Sequence, residues 1–85
     1  MFFKDTIYEK KWSGLCYNDQ KNTGQRLTNV PFNGCRDKCS QDPNCIAFAS
    51  NPNDMCWITD KSKSLSKWND SSNTNAACYE KINGN

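Results

Sequence analysis

The sequence predicts a small α+β domain in which one short helix is stapled by disulfides to an antiparallel sheet. Three observations carry that expectation. Six cysteines fall within 85 residues, at Cys16, Cys35, Cys39, Cys45, Cys56 and Cys78, and an even count in so short a chain reads as a disulfide framework made in an oxidising compartment. Cys35 and Cys39 lie four residues apart, which places both sulfurs on one face of a helix, while Cys45 and Cys56 sit in the two stretches most like strands. Only 35% of the residues are hydrophobic. A core this small supplies about 3–5 kcal/mol, so covalent staples are expected.

Residues 1–6 read as a loose lead-in and residues 7–83 as a single domain. Ile7, Tyr8, Trp12, Leu15, Cys16 and Tyr17 favour strand over 7–17, as one strand or two, with a bulge or turn at Gly14. Residues 18–24 are polar and turn-rich, and 26–30 form a short extended piece that Pro31 ends. A helix is expected over about residues 33–41, beginning at Asn33 or Gly34 and closed by Asp42-Pro43. Arg36, Asp37 and Lys38 on it face water.

Residues 45–50 are the strongest strand, 51–54 a tight turn and 55–59 the returning partner, together a β-hairpin with a four-residue loop. Strict alternation puts Cys45, Ala47 and Ala49 on one face, and sets Cys56 and Ile58 against Trp57. The alanines are expected beneath the helix, where small side chains admit its backbone. Trp57 either caps a second small core or projects outward. Residues 60–75, rich in Ser, Asn, Asp and Lys, form a long loop with room for one helical turn at 63–68. Residues 76–82 read as a last strand carrying Cys78.

Composition excludes several classes of function. The chain has no histidine, so no Ser-His-Asp or Cys-His arrangement and no histidine general base can form. Its carboxylates are scattered among polar neighbours and read as solvated surface charge. No Gly-rich phosphate loop occurs, so the sequence predicts no enzyme and no cofactor. Structural zinc sites need a second ligand pair; only Cys35 and Cys39 have such spacing. A net charge of +2 is too small to imply nucleic-acid binding. No stretch of about 18 apolar residues predicts membrane insertion. Met1-Phe2-Phe3 runs straight into Lys4 and Asp5 with no apolar signal region, so the chain is expected to be a mature fragment or one module of a longer secreted or cell-surface protein.

The run Cys35-x₃-Cys39-x₅-Cys45, with Ala47-Phe48 directly after it and Cys56 closing a hairpin, resembles a PAN/apple domain. Cys16 and Cys78 match the outer pair of the apple subtype, and the resemblance covers about residues 12–82. Spacing alone leaves fifteen connectivities open. The resemblance implies the nested pairing Cys16–Cys78, Cys35–Cys56 and Cys39–Cys45; two helical cysteines facing one hairpin agree with the inner two. It also implies an extracellular adhesion or recognition module, as in the N-terminal regions of plasminogen and hepatocyte growth factor, coagulation-factor apple repeats and the microneme-type adhesins of apicomplexan parasites. Such modules bind proteins and carbohydrates and have no enzymatic activity of their own.

The expected partner is therefore a host or cell-surface protein or glycan. Candidate ligand-binding residues are Lys11 with Trp12 and Lys67 with Trp68, because indoles flanked by cations suit sugar stacking and anionic groups. For each tryptophan, burial in a sparse core is the competing reading. Asn69-Asp70-Ser71 is an N-glycosylation sequon in the 61–75 loop, with Asn69 as acceptor. Two other functions stay open: a free-standing secreted inhibitor or toxin-like effector acting through the lysines of loop 61–75, and a structural spacer in an adhesin.

Overall fold

Alternation of side chains along the strands sorts the core into two clusters, one on each face of a single sheet. The computed structural model describes residues 6–20, 22–60, 64–67 and 75–83. In chain order the elements are β1 (Ile7–Ser13), β2 (Cys16–Tyr17), β3 (Gln25–Leu27), α1 (Phe32–Gln41), β4 (Cys45–Ser50), β5 (Cys56–Asp60), β6 (Ser66–Lys67) and β7 (Ala77–Asn83). Five strands make one sheet in the order β1-β7-β4-β5-β3, and β2 pairs with β6 in a separate two-stranded ribbon. Every pairing is antiparallel.

Helix α1 covers one face of the sheet. Phe48 and Ile58 are buried there with Cys35, Cys39, Cys45 and Cys56, and Tyr8, Leu27 and Tyr79 pack at the margin. Phe48 is fully buried and stacks on Tyr79 with centroids 5.2 Å apart. It also meets Tyr8 and Phe32 edge-on at 5.0 and 5.5 Å. These four rings supply most of the large apolar groups on that face, in the offset and edge geometries that their quadrupoles favour.

The β2–β6 ribbon lies against the opposite face. There Leu15, Cys16, Ala47, Ala49, Trp57 and Cys78 are buried together. Each disulfide ties a covering layer to the sheet. Cys35–Cys56 and Cys39–Cys45 join α1 to β5 and β4, and Cys16–Cys78 joins β2 to β7. This is the nested pairing, and Trp57 caps the second core.

Three expectations are corrected. Ala47 and Ala49 do not lie beneath the helix; they face the ribbon, where Trp57 and Leu15 fill the volume they leave. Cys45 does not share their face. A β-bulge at Ile46, where Cys45 pairs with Asp60 but Ala47 with Thr59, adds one residue to β4 and turns Cys45 towards the helix. Within 63–68, Ser66 and Lys67 are extended rather than helical, because pairing with Tyr17 and Cys16 satisfies their backbone while Leu65 packs onto the ribbon-side core.

Boundaries move slightly for local reasons. β3 stops at Leu27 because Asn29 takes a left-handed conformation, φ 58°; the Val30 N–H then donates to the Asp54 carbonyl across the hairpin loop. That loop runs on to Met55, since the Asn51 carboxamide oxygen accepts N–H groups from Asn53 and Met55. Of the expected lead-in, residues 1–5 lie outside the described residues. Thr6 is buried and its carbonyl accepts from Arg36 at 3.4 Å.

Candidate functional site: a cleft between the helix and the edge strand

The end of α1 stands away from β3, and the space between them is an open cleft of about 470 Å³. Cys35 and Cys39 turn towards the sheet, so the helical periodicity carries Lys38 and Gln41 to the flank above β3. Asp42 and Pro43 extend that wall, Gln25 and Leu27 form the facing one, and Ile58 of β5 lies between. Gln25, Lys38, Gln41 and Pro43 are exposed, Leu27 and Asp42 half-buried and Ile58 buried. The floor is thus apolar and the rim carries amide, ammonium and carboxylate groups.

Two local arrangements hold the walls. On the strand side, Gly24 enters β3 at φ 84° and lies so close to β5 that a Cβ there would run into the Ile58 carbonyl oxygen. On the helix side, Lys81 of β7 donates its Nζ to the carbonyls of Cys39 and Asp42 at 2.9 and 3.2 Å. Those carbonyls at the helix C-terminus each accept one backbone N–H as well, Cys39 from Asp42 and Asp42 from Cys45, and Lys81 supplies their second donor. Burial pushes the Lys81 ammonium below its ordinary pKa, and Asp42 opposes that shift. The Asp42 carboxylate also accepts the Asn44 N–H at 2.9 Å. Among the described residues, Lys38 and Arg26 form no ion pair.

The sequence-derived site residues do not converge on this cleft. Lys11 sits on β1 at the far edge of the sheet, where its Nζ reaches Glu80 at 3.4 Å and Glu9 at 3.8 Å. Glu9 and Glu80 face each other directly in the β1–β7 register, so Lys11 offsets a like-charge cross-strand pair. A second bulge, between Lys10 and Trp12, turns Trp12 onto the ribbon-side core, and its indole N–H donates to the Leu15 carbonyl at 3.0 Å. Lys67 is exposed on the ribbon opposite Cys16. Trp68, the Asn69 sequon, Lys61 and Lys63 lie outside the described residues, as does loop 61–75 apart from 64–67 and 75.

Sequence reasoning missed Gln25, Gln41, Lys38 and Asp42 as neighbours across a cleft. The available signal was the i, i+3 spacing of Lys38 and Gln41 on the flank of a disulfide-pinned helix. All six cysteines are paired, and no group of three metal-ligating side chains occurs among the described residues. No helix among them is long and apolar enough to cross a membrane. Three disulfides point to an extracellular or secreted protein. Comparison with protein-family models, curated proteins and solved structures finds no match.

Proposed function

We propose that this chain is an extracellular recognition module of the PAN/apple type that binds a protein or carbohydrate partner. The observation that carries the reading is the α1–β3 cleft, an apolar floor with a polar rim, on a scaffold braced by disulfides on both faces. Rigid walls limit the entropy lost on binding, which favours recognition by a preformed surface. The nested cysteine pairing and the helix pinned to a central hairpin support the family resemblance. With no histidine in the chain, the polar rim is read as a binding surface, and no catalytic step is assigned to it.

The test is to probe a glycan and sulfated-polysaccharide array, and in parallel a displayed linear-peptide library, with the oxidised protein. The expected result is specific binding to one of the two that is lost in Gln25→Ala/Gln41→Ala. Loss in Lys11→Ala/Trp12→Phe instead would relocate the site to β1. No specific binding to either surface would overturn the recognition reading.

A further inference from the structure

The cleft has one wall that recognises main chain rather than side chains. β3 is the last strand of the five-stranded sheet, and among the described residues it pairs only with β5. Its outer edge therefore presents backbone N–H and C=O groups beside an open cleft. A helix forms the opposite wall. An edge strand facing a helix across an apolar floor is the geometry in which an extended peptide adds as a further strand and sends alternate side chains into the groove. The lining residues include no aromatic ring, so the cleft lacks the face on which a sugar would stack.

We infer that the cleft takes an acidic, extended peptide, which pairs with β3 as a sixth strand. This rests on the recognition reading and names the partner class. A strand laid beside β3 would sit about 4.8 Å from it, with directly opposed side chains on the same face. Gln25 and Leu27 face the helix side and Arg26 alternates to the other. A peptide side chain beside Leu27 extends the row that Leu27 and Cys56 form at the margin of the helix-side cluster and is apolar. Its helix-side neighbour two residues away reaches Lys38 and is acidic, and the residue between them meets exposed Arg26 and is acidic too. Lys38 and Arg26 have no ion-pair partner among the described residues, whereas the Asp42 carboxylate has the Lys81 ammonium as its electrostatic partner. Lys38 on the groove and Arg26 on the opposite face of β3 are thus cations left for a partner to match.

The probe is a capped, fluorescein-labelled heptapeptide with valine at its centre, two glutamates on either side and a threonine at each end; its symmetry admits either strand direction. Anisotropy should show saturable binding to the oxidised protein. N-methylation at alternate residues, in both registers, should weaken it at least about tenfold by removing main-chain donors, and Lys38→Glu should do the same with amide dispersion intact. The Gln25, Arg26 and Leu27 amides should shift on titration. Binding that survives N-methylation in both registers, or leaves those amides unmoved, overturns strand addition. If the heptapeptide fails while the glycan array or the peptide library gives a specific ligand, strand addition falls and the recognition reading stands. If all three are blank, both fall.

Discussion

Cys45 and Ala47 lie two residues apart in β4, yet Cys45 packs on the helix side of the sheet and Ala47 on the ribbon side. In a regular strand they would share a face. Ile46 is the extra residue that separates them, and it lets one strand contribute a disulfide to the helix and a small side chain beneath Trp57.

Deleting Ile46 tests this relationship. With the bulge residue gone, strict alternation still carries Cys45 to the helix side, so Cys39–Cys45 should form after oxidative refolding. The loss is the partial packing of Ile46, about 1 kcal/mol, or roughly 4–8 °C in Tm for a domain of this size. Peptide mapping of the disulfides decides the matter. A scrambled map would mean that β4 is regular and that Cys45 faces away.

Tyr8 predicts a loss of stability at alkaline pH. Its hydroxyl lies 2.8 Å from the Ser40 hydroxyl, and burial raises its pKa above the ordinary 10.0, opposed by that hydrogen bond and by Arg36. Above pH 10 the unfolded chain has lost the phenolic proton while the folded chain retains it. Tyr8 therefore contributes stability that is fully present below pH 10 and is lost as pH rises through the folded value. Tyr8→Phe should lower the unfolding free energy measured in urea near neutrality by about 1 kcal/mol for the lost hydrogen bond, and remove this share of the alkaline decline. Parallel decline in both proteins would contradict the assignment.

Gly24→Ala should destabilise the domain by about 2 kcal/mol or more, because the new methyl meets the Ile58 carbonyl at a backbone conformation unfavourable for alanine. Since the clash levers β3 from β5, peptide binding in the cleft should weaken alongside Tm. An unchanged Tm would show that β3 is not held against β5 at this point.

The disulfides should differ in weight. Cys35–Cys56 closes 21 residues of sequence separation and Cys39–Cys45 only 6, corresponding to about 3 and about 2 kcal/mol of chain entropy. Cys35→Ser/Cys56→Ser should collapse amide dispersion, because it also frees α1 from β5 beneath the aromatic cluster. Cys39→Ser/Cys45→Ser should keep the sheet and loosen only the end of α1. A well-dispersed spectrum for the first variant would refute that ranking.

The helix, the hairpin and the last strand were legible because their signals are local. Cys35 and Cys39 at i, i+4, Asp42-Pro43 as a stop and Asn51–Asp54 as a turn each act within a few residues. The faces were legible only where alternation is unbroken: Cys56, Trp57 and Ile58 fall as expected, whereas Cys45, beside a bulge, does not. A bulge leaves no mark in composition, because it satisfies a register set by the partner strand. The cleft was illegible for a related reason. Gln25 and Gln41 carry no motif, and their chemistry exists only once β5 and the disulfides hold β3 and α1 apart.

The sequence by itself determined that a helix would be bound covalently to a β-hairpin, since cysteine spacing and turn residues act over short range and a sparse core demands staples. Tertiary structure alone decided which face each strand residue takes, which strand ends the sheet and where the cleft opens. Those outcomes depend on pairing registers between segments far apart in the chain. A single extra residue in one strand inverts the side to which its neighbours point.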